Sequence, residues 1–258
     1  MTFFSDTQHL FVRALKKLVR NPILLFFSLF QPIIFLVLFT QLFTKFASVP
    51  GLFPSGITYL EYATPGILLQ NGFSSALQSG TSVVDDINSG FLQKMLVTPV
   101  NRSAILLGRL SSDAFRVVVQ SLIILGLAYI LGFNSATGIP GVVVMLFIIA
   151  FFGLAWSGIS LALGLRTRSA ETVFGIAGFL TFPLLFMSTA LVPVTAMPSW
   201  MQSVSNVNPI SYAVNAVRDL ALPKYFSVSA ILSAVGVIGV IAILTLGATL
   251  YLFRKVVS

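Results

Sequence analysis

The sequence predicts an all-α, polytopic membrane protein. It reads as a single transmembrane domain over residues 1–258, with six membrane-spanning helices, an N-terminal amphipathic helix, a cytoplasmic helix near the middle and broken helices before the last span. Three observations lead there. Of the 258 residues, 57% are hydrophobic and 9% are charged, with a mean hydropathy of +0.98, well above ordinary soluble domains. The apolar residues come in runs of about 20, the length that crosses a hydrocarbon core of about 30 Å. The basic residues fall between these runs and form no stripe, so the net charge of +8 is read as membrane topology, with no nucleic-acid partner expected.

Residues 1–20 end in "FVRALKKLVR", where Phe11, Leu15, Leu18 and Val19 share one helical face and Arg13, Lys16, Lys17 and Arg20 are expected toward water and lipid phosphate. Asn21 and Pro22 open the first span, residues 23–43, because a proline in the first turn lacks only an N–H that would be unpaired anyway. A loop over 44–58 carries Pro50, Gly51, Pro54 and Gly56. The second span, residues 60–81, contains Pro65, Gly66, Gln70, Asn71, Gly72 and Gln78, which suits a helix packed against other helices rather than against lipid. The third span is 117–133 and the fourth is 139–165, with Gly153, Gly158 and Gly164 as close-packing positions. Arg166 and Arg168 mark a tight turn, Glu171 follows as a cap or an arginine partner, and the fifth span is 172–192 with a kink at Pro183. Residues 193–227 are mixed, with Trp200 and Tyr212 suited to the headgroup level. The last span is 228–253.

Six spans place both termini on one side. Twelve of the fifteen basic residues lie on that side, leaving Lys45, Arg218 and Lys224 on the other. The connections are short enough for the positive-inside rule, so both termini and residues 82–115 are expected in the cytoplasm.

The stretch "TSVVDDINSGFLQKMLVTPVNRSAILLGRLSSD" is polar where its flanks are greasy. Over residues 85–97 its pattern is helical. Asp85 or Asp86 suits the N-terminus, where carboxylates face unpaired N–H groups, and Ile87, Phe91 and Met95 recur every fourth residue as one apolar face. Pro99 ends this helix, and a second one restarts near Asn101 and runs unbroken into span three with Arg102, Arg109, Asp113 and Arg116. Arg109 and Asp113 are four apart, the spacing of an intrahelical ion pair. An amphipathic helix of this kind either lies on lipid or fits a groove in a soluble partner.

The run "FLQKMLVTPVNRSAILLGRLSSDAFRVVVQSLIILGLAYILGF" resembles the central motif of ABC-2 type permeases, most closely the daunorubicin/doxorubicin-resistance branch of ABC exporters. "NPISYAVNAVRDLAL" is similar to the second signature of that family, and "LVRNPILLFFSLFQPIIFLVLF" to its usual opening. The resemblance implies an exporter subunit for hydrophobic or amphipathic compounds, drug-like molecules or lipids, in a prokaryotic plasma membrane. Its partners would be an ABC ATP-binding subunit, a second permease copy or homologous chain, and membrane lipids. ATP and Mg²⁺ would be bound on the separate ATPase and no cofactor by this chain, in keeping with the lack of a GxxxxGK[ST] phosphate loop. Residues 85–97 would be the coupling helix, with Phe91 and Met95 as anchors, Asp85, Asp86 and Lys94 at the rim and Gly90 allowing close approach. Residues 194–220, including Asn208, Pro209, Tyr212, Arg218 and Asp219, would form re-entrant helices in the outer leaflet. Arg109, Asp113 and Arg116 would act in the gate or transmit force.

Other candidates have two readings. Glu61 guides a cationic substrate or is an acid at a helix start. Gln70, Ser74, Ser75 and Gln78 line a path between subunits or pack helix against helix. With no cysteine and the single His9 outside any metal-ligand cluster, neither thiolate nor metal chemistry is indicated. Acids are missing from the central parts of spans one, three, four, five and six, so a proton relay is not expected. The alternatives are export of a lipid-linked glycan or polysaccharide, and a membrane assembly protein without transport.

Overall fold

The computed structural model describes residues 3–20, 22–47, 53, 56–98, 102–222 and 226–257. The expected breaks at Asn21, Pro50, Gly51, Pro54, Pro99 and Pro223, together with Asn101 and Lys224, fall outside them, as do the side chains of Lys17, Leu18, Val19 and Arg102. Among the described residues the fold is entirely helical: α1 (Phe3–Val19), α2 (Pro22–Ala47), α3 (Tyr59–Asn88), α4 (Phe91–Leu96), α5 (Arg102–Ile130), α6 (Gly138–Thr167), α7 (Ala170–Phe186), a 3₁₀ turn (Val194–Ala196), α8 (Ser199–Val207), α9 (Pro209–Ala221) and α10 (Val228–Val257).

Among the described residues, four helices are long and apolar enough to cross a membrane, in α2, α5, α6 and α10. The second expected span is a longer and more polar helix than the sequence pattern implied. α3 has 30 residues, about 45 Å at the helical rise, and it packs on α2, α5, α6, α7 and α9. Its start is fixed by a capping box: Glu61 N–H donates to Thr58 Oγ1 at 3.2 Å and Thr58 N–H to Glu61 Oε2 at 2.8 Å. α5 is one helix from Arg102 into the apolar stretch, as expected. The fifth apolar helix stops at Phe186 rather than at 192. Pro183 lies in its last turn, and the amide of Asn208, the cap of α9, satisfies carbonyls released there, so the chain need not continue as helix.

The centre of the bundle is an aromatic knot. Phe73 of α3 meets Phe152 and Trp156 of α6 edge-on at 4.8 and 4.9 Å between ring centroids. Around it, helices are tied by buried polar contacts: Asn71 Nδ2 to Ser121 Oγ at 3.2 Å, Gln120 Nε2 to Ser28 Oγ at 2.7 Å, Trp156 Nε1 to Thr181 Oγ1 at 3.2 Å and Thr249 Oγ1 to the Gly158 carbonyl at 2.7 Å. In an apolar solvent such contacts and close packing replace hydrophobic burial as the source of association.

Small residues set the spacing of α3 and α6. A Cβ on Gly80 would lie 2.5 Å from the Ser160 carbonyl oxygen, and one on Gly164 would lie 2.7 Å from the Gly80 oxygen. At Gly72 the nearest atom would be 3.5 Å away, an ordinary contact. Gly80→Ala is therefore expected to destabilise the bundle by roughly 1–3 kcal/mol through overpacking, while Gly72→Ala stays near wild type. Thermal unfolding in detergent measures both, and equal midpoints would contradict backbone-to-backbone packing at Gly80.

Candidate functional site

Charged and polar side chains gather at the two ends of α3. At the end near α1 and α4, Asp86 is buried in the last turn of the helix. Ser89 and Gly90 break the chain because Gly90 has φ +69°, a left-handed conformation that glycine adopts without steric cost. The expected single helix over 85–97 is thus two pieces. Asp85 to Asn88 complete α3, and Phe91–Leu96 form the short α4. Asp85 and Asp86 do not start a helix, and Asp86 is no rim residue. It pairs with Arg109 of α5, and Arg13 of α1 approaches its other oxygen at 3.7 Å.

The pair expected within α5 is replaced in the same way. Arg109 reaches across to Asp86 and, at 3.4 Å, to the Ser79 carbonyl. Asp113 accepts from the Ser79 hydroxyl and from Arg116 Nη2 at 2.7 Å. Arg116 also donates to Ser75 Oγ at 3.0 Å, the Ser75 carbonyl at 3.1 Å and Gln78 Oε1 at 3.1 Å. The reason is geometric: α5 lies against α3, and partners on a facing helix satisfy a planar guanidinium more fully than one carboxylate a turn away. Arg13, Gln78, Asp85, Asp86, Arg109 and Asp113 are among the residues lining a cavity of about 150 Å³ between α1, α3 and α5.

α4 turns its apolar side inward. Leu92 and Met95 are buried and Phe91 is half-buried beneath Arg13, whose Cζ lies 3.5 Å from the ring centroid. Outward it presents Gln93 and Lys94, with Asn88 and Ser89 at the elbow. Val97, just past the helix, is 86% exposed.

At the opposite end of α3, Arg218 of α9 is buried and holds three segments together. It donates to the Tyr62 carbonyl through Nε and Nη2, each at 3.2 Å, to the Thr189 carbonyl at 2.6 Å and to Asn215 Oδ1 at 3.0 Å. Its guanidinium also stacks 3.7 Å from the Tyr62 ring centroid. Asn208 caps α9 by accepting from Ile210 N–H at 2.9 Å, and its amide donates to the Leu184 and Met187 carbonyls at 2.6 and 3.2 Å. Pro209 follows as the first residue of α9. Asp219 is half-buried beside this knot. Tyr212 and Trp200 are exposed.

The remaining candidates are dispersed. Glu61 belongs to the α3 cap, Gln70 is buried within the bundle, and Ser74 is half-buried on the same helix. Glu171 is exposed in the first turn of α7, whose cap is Ser169. The sequence reading missed Arg13, Ser79, Tyr62 and Thr189 as partners. Arg13 shares the polar face of α1 with Lys16 and Arg20 by helical periodicity, so no local signal separates it from them; only the fold of α4 across α1 does. Asp86→Asn and Arg109→Gln should each destabilise the protein, with the double variant less damaged than the sum by about 1–3 kcal/mol. A double-mutant cycle on thermal unfolding reads this coupling, and strict additivity would exclude the pair as a unit.

Comparison with known families then gives one match, "ABC-2 type transporter", over residues 5–222. The chain is similar to a daunorubicin resistance ABC transporter permease protein of Streptomyces coeruleorubidus, 34% identical over 81% of this chain and 72% of the relative. It is also similar to a putative transport permease of Cyanophora paradoxa, 33% identical over 85% and 76% of the two chains. A probable doxorubicin resistance ABC transporter permease protein of Mycobacterium tuberculosis is 26% identical over 81% and 74%.

Proposed function

The chain belongs to the ABC-2 type transporter family and is the transmembrane subunit of an ABC exporter; from that premise we propose which surface receives the driving force and what is carried. A separate ATP-binding subunit hydrolyses ATP with Mg²⁺, and two permease chains, identical or homologous, form the membrane path. The α1–α4 end faces the cytoplasm of a prokaryotic cell and α8–α9 face outward, because twelve of the fifteen basic residues fall on the α1–α4 side. The cargo is a hydrophobic or amphipathic compound taken from the cytoplasm or the inner leaflet. The names of the relatives, daunorubicin and doxorubicin resistance permeases, support that class.

The observation that carries the docking surface is the elbow between α3 and α4. Its inner face is engaged by the bundle, and its outer face offers the exposed Ser89, Gln93 and Lys94, with the exposed Val97 just past α4. An exposed apolar side chain beside polar ones suits a small interface anchor, with Lys94 setting orientation at the rim. Phe91 and Met95 then support this surface from behind. ATP binding moves the path only through contacts that differ between two conformations, and the clasp of Asp86, Arg109 and Arg13 joins the elbow to both α1 and α5.

Cysteines at Ser89 and Ser199, in a chain without native cysteine, should label from opposite sides of the membrane; labelling of both by an impermeant external reagent would overturn the orientation. ATP-dependent accumulation of doxorubicin in inverted vesicles, with the ATP-binding subunit co-expressed, tests the function. Val97→Asp should lower affinity for that subunit by about 30-fold, the effect of losing roughly 2 kcal/mol at an anchor, and abolish accumulation. Wild-type transport in Val97→Asp and Lys94→Glu would reject this docking face.

A further inference from the structure

We propose that Arg13 is a positioning residue, through which α1 acts as a latch holding the α3–α4 elbow in its docked orientation. The proposal deepens the docking reading above and rests on it for its functional consequence. Arg13 touches both sides of the break at Ser89 and Gly90. Before the break, its Nη2 lies 3.7 Å from Asp86 Oδ1. After it, the guanidinium covers the Phe91 ring at 3.5 Å and Nη1 donates to Met95 Sδ at 3.9 Å. A planar cation that can face a ring and a carboxylate together suits arginine better than lysine.

The break needs such a hold. A Cβ on Gly90 would meet nothing within 4 Å, so neighbours do not wedge the turn in place. α4 has six residues, too few to persist as an isolated helix. Its orientation follows from what its inner side chains touch: Leu92 and Met95 in the bundle, and Phe91 under Arg13. α1 is itself fixed to α5. A Cβ on Gly108 would lie 2.8 Å from Leu10 Cβ, and Phe11 meets Phe115 edge-on at 5.8 Å. The latch therefore spans α5, α1 and the elbow, and it can open at Arg13 without disturbing the α1–α5 contact.

The test uses the whole chain in lipid nanodiscs, spin-labelled at cysteines in place of Gln93 on α4 and Ser111 on α5, both exposed. A second pair at Gln8 and Leu107, also exposed, reports α1 against α5. Arg13→Ala should raise the population at non-native Gln93–Ser111 distances roughly five-fold, as expected for losing a part-buried cation–π contact, with the Gln8–Leu107 distance unchanged. Phe91→Leu, which keeps an apolar side chain and removes the ring, should shift the same distances in the same direction, and Arg13→Lys should fall between Arg13→Ala and wild type. A wild-type Gln93–Ser111 distribution in Arg13→Ala would overturn the latch. So would a change in the Gln8–Leu107 distance of equal size, because Arg13 would then be holding α1 rather than the elbow. Failure of the docking reading shows separately, as normal transport by Val97→Asp, and leaves these distances where they are.

Discussion

The close approach of α3 to α6 is the constraint on which the rest of the structure depends. Where Gly80 passes Ser160 and Gly164, there is no room for a Cβ on either glycine. Lipid offers apolar side chains no gain over one another, so helices in a bilayer associate where backbones come close enough for dense packing and polar groups find partners. The glycines provide the first condition. They bring the faces carrying Phe73, Phe152 and Trp156 together, and they leave α3 surrounded by α2, α5, α6, α7 and α9. A helix enclosed on so many sides can hold Gln70, Asn71, Ser75 and Ser79 in its buried face without exposing them to hydrocarbon, which would be costly for each unpaired group.

Enclosure also explains why charge collects at the ends of α3. A guanidinium buried on a helix needs carbonyls or carboxylates in fixed positions. At one end Arg218 finds the Tyr62 carbonyl of α3 and the Thr189 carbonyl just past the end of α7. Toward the other end, from the middle of the helix down to Asp86, Arg109 and Arg116 of α5 find Asp86, Asp113 and the Ser75 and Ser79 groups of α3. Both knots tie a broken segment to the same continuous helix: α9 at one end, the elbow and α1 at the other. A displacement at either end must break charge-assisted hydrogen bonds or move α3 with it. α3 and α5 are thereby coupled as a pair.

Much of this was legible in the sequence, for identifiable reasons. The apolar runs of α2, α5, α6 and α10 have lengths and compositions that few other structures tolerate, and the small and amide residues of α3 announced a packed helix. Nothing local to Gly90 distinguishes a left-handed turn from a helical glycine, so the sequence pattern merges two helical pieces into one. The same periodicity that placed Phe91 and Met95 on one face could not say whether that face looks inward or toward a partner. Ion pairing was least legible: Asp113 lies at helical spacing from both Arg109 and Arg116, and the choice between them is made by partners on α3 that are 23 to 41 residues away in sequence. Arg218 and Asp219 are adjacent, yet Arg218 donates to backbone carbonyls from another two segments.

The two faces of α4 separate two demands that the sequence merges. A surface that receives force must be exposed to its partner, and it must be held to the part that moves. In a six-residue helix both demands fall on a few side chains. Leu92, Met95 and Phe91 point inward, and Gln93, Lys94 and Val97 point outward. Because Phe91 is held by a cation on a different helix, the rigidity of the outer face is set at a distance from it. On the proposed docking reading, Arg13 of α1, outside the docking face itself, would set how fully a push on Val97 reaches Asp86 and Arg109, and through them α3 and α5.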